Sequence, residues 1–209
     1  MVNYVFYYFP LRARGEPLRF LLYHSGIEFE DKHVEVKDWE TLFPKVPMGQ
    51  PVFSVDGTIL YSAPAIGSFI GRRLGLAGKN DLEAARCDML YQCLNDFISA
   101  SIRPFIVAAI IEENIEKAMA IAKELKDVGI ISSFLKWYNS LLEENGTDWF
   151  VGESLTWVDP CIGELTGRLD ELFHPGILDD FPLLKEHHQK VVQLPNIKKY
   201  LESRKSMQY

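Results

Sequence analysis

The first third of the chain alternates short apolar runs of strand type with segments of helical periodicity. The run Val2 to Phe9 is β-branched and aromatic and ends at Pro10, which predicts a buried strand. Pro17 suits the first turn of a helix, and an apolar stripe with helical spacing continues from Leu18 until Gly26 stops it. A strand therefore feeds a helix through a short loop.

The same alternation continues to about residue 76. Phe29 to Val36 is predicted to be a strand, and Asp38 to Phe43 an irregular helical turn. Pro51 to Tyr61 contains two apolar runs around Asp56-Gly57, which is typical of a hairpin. Ala65 to Leu74 is amphipathic and helical. The predicted order is β-α-β-α-β-β-α.

From about residue 82 the apolar spacing is helical throughout. Long helices are predicted around Leu90 to Ile98, Ala118 to Val128 and Ile131 to Leu142, and the capping box Thr156 to Asp159 begins another. The polar linker between the two parts is short, so they should pack firmly against each other. The sequence predicts an α/β domain at 1–76 and an all-helical domain at 82–209.

Composition and charge narrow the classes of function. Of the 209 residues 47% are hydrophobic and 24% charged, which is typical of a globular protein. The net charge of -7 disfavours nucleic acid as a partner, because phosphate binding needs a basic face. The longest apolar stretch, Ile102 to Ile111, is broken by Arg103 and Pro104 and is short for a membrane span. With no signal segment before the first strand, we expect a cytoplasmic protein without membrane insertion.

The cysteines and histidines give little sign of metal or disulfide chemistry. The chain has three cysteines, an odd number, and they form no Cys-x-x-Cys motif; they are Cys87, Cys93 and Cys161. This pattern fits buried thiols in a reducing compartment. The five histidines lack metal-ligand spacing. We expect no metal.

Tyr8 is the first residue that invites a functional interpretation. Ligands of open α/β sheets bind at the carboxyl ends of the strands, and Tyr8 ends the first strand. A packed strand aromatic is the alternative interpretation. The strand pattern alone leaves both open.

Several motifs in order together carry a family resemblance. They are the Tyr-Phe at Tyr8-Phe9, Arg14, Glu16, Trp39, the Pro-x-Gly-Gln-Pro-Val turn at 47–52, Val55-Asp56-Gly57, and Leu155 to Asp159. Across the whole chain the sequence resembles a cytosolic glutathione transferase, most closely the sigma class with its many invertebrate members. The resemblance implies a thioredoxin-like first domain, glutathione as co-substrate, a hydrophobic electrophile as second substrate, and a homodimer.

The resemblance gives Tyr8 and Arg14 the catalytic roles. The glutathione thiol has an ordinary pKa of roughly 8.5, so most of it is protonated at neutral pH. A tyrosine hydroxyl can donate a hydrogen bond to the sulfur anion, and a nearby cation adds to it. Tyr7 is unsuitable, because adjacent strand residues point to opposite faces.

Further glutathione contacts are implied for both domains. Trp39 would donate to the glycine carboxylate, and the cis-proline Pro51 would let Gln50 pair through its backbone. Amides near Ser62 and Ala63 would bind the γ-glutamyl carboxylate at a helix start. Asp96 would reach the γ-glutamyl ammonium across a dimer interface; a solvated helix acid is its plain interpretation.

The second substrate is not determined by the sequence. The family's pocket positions correspond here to Phe9, Leu11, Arg12, Ile102, Phe105 and Ile106, all of which also suit an ordinary core. An apolar lining favours hydrophobic electrophiles or lipid-derived carbonyls.

The chain departs from the family pattern in three places. Gln50 directly precedes Pro51 without the usual extra residue, Ser62-Ala63 replaces Gln-Ser, and Phe43 replaces a lysine. Each change weakens the tripeptide site. Isomerisation and peroxide reduction belong to the enzyme hypothesis, and a catalytically weak binding or crystallin-like protein is the alternative.

Overall fold

The computed structural model describes residues 2–204 and residue 207, and its first part is a mixed α/β unit. The predicted order β-α-β-α-β-β-α is confirmed. The elements are β1 (Tyr4–Tyr8), α1 (Gly15–Ser25), β2 (Glu30–His33), a 3₁₀ turn (Val36–Asp38), α2 (Trp39–Leu42), β3 (Val52–Val55), β4 (Thr58–Tyr61) and α3 (Ala63–Arg73).

The four strands form one sheet in the order β2-β1-β3-β4. β1 runs parallel to β2 and antiparallel to β3, and β3 pairs antiparallel with β4. Phe6 lies opposite Phe53 and both are fully buried, so β1 is the core strand. Its last residue, Tyr8, therefore reaches the carboxyl edge of the sheet from a rigid support.

The second part is helical, as predicted, and the described residues after Tyr61 contain no strand. The helices are α4 (Asp81–Phe97), α5 (Arg103–Ile106), α6 (Ile115–Asp127), α7 (Ile130–Asn145), α8 (Val158–Arg168), α9 (Pro182–Gln193) and α10 (Pro195–Ser203). Three π-helical segments, at Ile98–Ile102, Val107–Ile111 and Leu169–Phe173, were not predicted from the apolar pattern, nor were α9 and α10.

The helical run Asp81–Ile111 has 31 residues and is apolar enough, by length and composition, to cross a membrane. It is longer than the stretch considered in the sequence because α4 and the π-helical segment Ile98–Ile102 lead into that stretch without a break. Leu90, Leu94 and Ile98 of this run are buried in the core of the helical part. The run therefore packs one side against the rest of the helical part.

Trp157 joins the two parts of the chain. Its ring lies so close to Gly67 and Gly71 of α3 that a β-carbon at either glycine would overlap it. Its backbone N–H donates to the carbonyl oxygen of Leu76 at 2.9 Å, which fixes the linker. The helical part is thus docked firmly on the sheet unit, and α8 is buried on nearly every side.

The capping box at the start of α8 is present in modified form. Asp159 accepts from the backbone N–H of Thr156 at 2.7 Å, as such a box requires. The Thr156 hydroxyl donates to the same carboxylate at 2.8 Å instead of accepting from the helix. The other carboxylate oxygen accepts from the backbone N–H of Phe150, and His187 Nε2 lies 3.1 Å away from it. Buried Asp159 therefore links α8 to α9 and to the loop before α8.

Candidate active site

An open cleft lies between the end of β1 and the helical run 98–111. The cleft and its open mouth together contain about 620 Å³ of empty space. Its walls are mostly aliphatic, and the residues that line it are Tyr8, Phe9, Leu11, Ala13, Arg14, Val36, Met48, Gly49, Ile98, Ile102, Arg103, Ile106, Val107, Ile110 and Ile111. Both parts of the chain therefore contribute to one site.

Tyr8 lies at the inner end of this cleft. Its ring packs over Gly15, where a β-carbon would overlap the ring, so the start of α1 can approach the strand only with glycine. Burial raises the pKa of Tyr8, although the Arg14 cation and a hydrogen bond from the Arg14 backbone oppose this. The hydroxyl is consequently protonated at neutral pH and is available as a donor.

Arg14 places a cation beside that hydroxyl. Its Nη1 donates to the carbonyl oxygen of Gly49 at 3.2 Å and its Nη2 to Ser99 Oγ at 2.8 Å. Burial lowers the pKa of Arg14, but an arginine remains charged in proteins. The side chain therefore spans from the β2–β3 connection to the helical part and carries a positive charge into the cleft.

Trp39 has a free donor in the core of the first unit. Its ring is fully buried between Phe9, at 4.8 Å between centroids, and Phe43, at 5.1 Å. Its Nε1 has no hydrogen-bond partner. A buried N–H without an acceptor costs free energy, which an anionic ligand group would recover.

The start of α3 offers backbone amides. Ser62 has φ of +81°, a strained angle for a residue with a side chain, and its hydroxyl makes no capping bond. The first intrahelical bond runs from the Ile66 N–H to the Ser62 carbonyl oxygen. The amides of Ala63 and Ala65 precede it and lie at the positive end of the helix dipole, whereas Pro64 has no N–H.

Comparison with known proteins decides the family. Residues 102–204 match the model of the glutathione S-transferase C-terminal domain. The chain is 35% identical to glutathione S-transferase 1 of Ascaris suum, with both chains covered completely. The chain belongs to the glutathione S-transferase family.

Solved structures of family members are similar to this structure over nearly its whole length. The crystal structure of the enzyme from Ascaris lumbricoides is 36% identical and superposes with a TM-score of 0.84, covering 99% of this chain and 100% of that one. A monomeric glutathione S-transferase of the hookworm Necator americanus is 30% identical with a TM-score of 0.82, at the same coverage. The expected fold, a sheet-containing first domain and a helical second one, is confirmed.

The structure corrects the expectation for the Gln50-Pro51 bond. The described residues contain no cis peptide bond, so this bond is trans. The trans isomer is the intrinsically favoured one even before proline. Gln50 is half-buried and Pro51 is buried, and neither lines the cleft.

Six further predicted residues of this glutathione S-transferase are not among the residues that line the cleft, namely Arg12, Trp39, Ser62, Ala63, Asp96 and Phe105. Asp96 is exposed on α4 and accepts from Gln92 Nε2 at 2.7 Å, the solvated position that its plain interpretation predicts. Arg12 points away to Glu171, with Nη1 to Oε2 at 2.7 Å. Phe105 packs edge-on against Phe173 at 4.9 Å. The side chains of Arg12 and Phe105 therefore contact Glu171 and Phe173 and do not line the cleft.

Several cleft residues were missed in the sequence. Four predicted pocket residues do line the cleft, namely Phe9, Leu11, Ile102 and Ile106. Among those missed are Met48, Arg103, Val107 and Ile110. The available signal was the apolar run after residue 98, but its π-helical winding changes which positions share a face.

Arg168 was also missed, and it ties the helical domain to the catalytic loop. Its Nη1 donates to the carbonyl oxygen of Ala13 at 2.8 Å, and Ala13 has φ of +33°. Its Nη2 lies 3.1 Å from Glu164 Oε2. Because Ala13 directly precedes Arg14, this bond holds the backbone that carries the Arg14 side chain and amide.

Arg168→Met is expected to lower kcat/KM for glutathione by about ten-fold, because the loop that aims Arg14 loses a charge-assisted bond. Burial raises the pKa of Glu164 to about 7, so without Arg168 this carboxyl becomes neutral and leaves no buried charge. Steady-state kinetics measure the effect. Glu164→Gln is the control, since it leaves the Ala13 bond in place; equal losses in both variants would contradict the role given to that bond.

Proposed function

We propose that this glutathione S-transferase holds the glutathione sulfur as a thiolate beside Tyr8 and Arg14 and joins it to hydrophobic electrophiles bound in the cleft. One observation carries the proposal. A buried, protonated tyrosine hydroxyl and an arginine cation lie together at the end of β1 and open onto an aliphatic cleft.

The chemistry requires stabilisation of the sulfur anion. Lowering the pKa of the thiol by about 2 units needs roughly 2.7 kcal/mol. A hydrogen bond from the Tyr8 hydroxyl to the charged sulfur, with the Arg14 charge nearby, is of this magnitude. The thiolate attacks the electrophilic carbon and forms the carbon–sulfur bond. The displaced group leaves with the bonding electron pair or, in an addition, the resulting carbanion takes a proton from water.

The remaining contacts of the tripeptide are proposed residue by residue. Trp39 Nε1 would donate to the glycine carboxylate, and the backbone of Gln50, before Pro51, would pair with the cysteinyl unit. The amides near Ser62 and Ala63 would bind the γ-glutamyl carboxylate. The unpartnered indole N–H and the strained start of α3 support this placement.

The proposal gives the two domains different roles. Residues 1–76 form the glutathione-binding domain and residues 82–209 the helical domain that supplies most of the hydrophobic pocket. Peroxide reduction and isomerisation are included because they begin from the same thiolate. We assign the protein to the sigma class, to the cytoplasm and to detoxification; the free thiols of Cys87, Cys93 and Cys161 fit a reducing compartment.

We further propose a homodimer. Phe97 of α4 and Phe134 of α7 stack at 3.9 Å between centroids while only partly buried, and Trp137 beside them is 40% exposed. A partly exposed aromatic face of this kind is typical of an interface. Asp96 lies next to Phe97, so a second subunit on this face would bring Asp96 near a neighbouring site.

Sedimentation equilibrium at micromolar concentration is expected to give about twice the chain mass of 24.0 kDa. Trp137→Glu should shift the equilibrium toward the monomer, because a charge would be buried at the interface. Lys123→Glu, at an exposed position of α6, is the control and should leave the equilibrium unchanged. A monomer in the wild type, as in the hookworm relative, would rule out the dimer and the ligand role of Asp96.

A binding or structural protein is the second candidate function. It is favoured by the weakened tripeptide site: Phe43 packs on Trp39, the Ser62 hydroxyl makes no capping bond, and Ala63 has no hydroxyl. Two lost side-chain hydrogen bonds, at about 1 to 1.5 kcal/mol each, weaken glutathione binding by tens-fold to a hundred-fold.

Retention on immobilised glutathione followed by a turnover assay distinguishes the enzyme from the binding or structural protein. The enzyme should be retained, eluted by free glutathione, and active with chlorodinitrobenzene. Retention without turnover, or stable folding without either, would favour the binding or structural protein.

A further inference from the structure

The outer wall of the cleft is built by an unusual stretch of helix. Two π-helical segments, Ile98–Ile102 and Val107–Ile111, flank the single α-helical turn of α5. A π-helical turn has i→i+5 bonds and winds more residues per turn than an α-helix. Residues four or five apart therefore stay on one face, and the isoleucines 98, 102, 106 and 111 all line the cleft.

Two cations interrupt this aliphatic surface, and the described lining residues include no acid. The Arg14 guanidinium already donates hydrogen bonds to Gly49 and Ser99. Arg103, at the start of α5, is exposed, and its side chain makes no hydrogen bond or ion pair within the described part of the chain. Arg103 and Arg14 line the same cleft.

The local charge opposes that of the whole molecule. With a net charge of -7, the protein as a whole repels anions. An arginine without a partner at an aliphatic cleft therefore attracts anions to a place where the rest of the surface would repel them. An arginine fork fits a carboxylate, and the isoleucine face fits an alkyl chain.

We propose that the second substrate is an amphipathic aliphatic anion, an electrophile on an unbranched hydrocarbon chain that ends in a carboxylate, and that Arg103 binds this carboxylate. The inference rests on the proposed glutathione chemistry. For an unsaturated aldehyde with a terminal carboxylate, the thiolate adds to the β-carbon and the electron pair moves to the carbonyl oxygen. Water then returns a proton to the α-carbon, and the carboxylate takes no part in the reaction.

The test compares two alkenals of equal chain length, one ending in a methyl group and one in a carboxylate. Wild-type kcat/KM is expected to be about ten-fold higher for the carboxylate, the effect of one partly exposed charge-assisted pair. Arg103→Met should remove the preference, so that the ratio of kcat/KM for the two substrates falls to about one. Arg72→Met is the matched control, because it also removes one positive charge but its side chain pairs with Asp88 outside the cleft.

A binding measurement makes the result independent of turnover. Dodecanoate should displace the neutral dye Nile red from the wild-type protein at lower concentration than dodecanol, and Arg103→Met should abolish the difference. Equal displacement by both, or a preference that survives Arg103→Met, would overturn the proposal. A raised KM for glutathione in Arg103→Met would also overturn it, since Arg103 would then hold the co-substrate. Selective binding of dodecanoate without any conjugation would keep the Arg103 site and reject the proposed enzyme chemistry.

Discussion

Tyr8→Phe is expected to lower kcat/KM at neutral pH by on the order of tens- to a thousand-fold, which corresponds to roughly 2 to 4 kcal/mol of lost anion stabilisation. The ring and its packing over Gly15 remain, so the fold and most of the glutathione affinity should be kept. Stopped assays with saturating electrophile, together with glutathione binding by calorimetry, measure the two effects separately.

The pH profile distinguishes a donor from a packed aromatic. Without the Tyr8 hydroxyl the pKa of bound glutathione should rise toward that of the free thiol. Activity is then lost at low pH and partly recovered at alkaline pH. Burial raises the pKa of Tyr8 itself, so in wild type the donor stays protonated across pH 6 to 9, roughly the range an assay covers.

Tyr7→Phe provides the matched control for this experiment. Tyr7 adjoins Tyr8 on β1 but lies on the other face, where its ring meets Phe43 edge-on at 5.2 Å. Its substitution should leave rate and pH profile unchanged. An unchanged kcat/KM in Tyr8→Phe at every pH would reject the catalytic assignment.

Asp159→Ala is expected to lower the free energy of unfolding by about 3 to 5 kcal/mol. The carboxylate is fully buried and accepts from Phe150 N–H, Thr156 N–H and the Thr156 hydroxyl, with His187 also within 3.1 Å. Its removal leaves several buried donors without an acceptor, at about 1 to 3 kcal/mol each. Urea denaturation followed by circular dichroism measures the loss.

Asp179→Ala is the comparison variant. Asp179 pairs with Lys185 at 2.5 Å, but its side chain is 69% exposed. Such surface pairs contribute about 0 to 1 kcal/mol, so stability should hardly change. A loss below about 1 kcal/mol for Asp159→Ala would mean that the loop before α8 rearranges and satisfies its own donors.

The fold of the first domain could be predicted well from local patterns. The strand alternation, the Asp56-Gly57 turn and the helix stop at Gly26 each act over a few residues, and all agree with the observed elements. Strand ends were less accurate: Phe29 to Val36 was predicted where β2 covers only Glu30–His33. Edge strands shorten where pairing ends, which depends on the partner β1 and not on the local sequence.

Prediction of the site was uneven for a related reason. Tyr8 could be placed from the strand that it ends, Arg14 was given its role by the family resemblance, and both line the cleft. Arg12, two residues before Arg14, points instead to Glu171, which lies 159 residues further along the chain. A partner so distant leaves no trace in the pattern around Arg12.

The sequence by itself determined the two-part architecture, the order of elements in the sheet domain and the position of Tyr8 at a strand end. These follow from side-chain periodicity and turn chemistry, which are local. Only the tertiary structure decided the cleft wall, the Arg168 bond to Ala13 and the isolation of Arg103. The π-helical winding changes which residues of the 98–111 run share a face. Folding buries Arg168 and brings the Ala13 carbonyl oxygen to it, whereas it leaves the Arg103 side chain exposed. Both are properties of packing between distant segments.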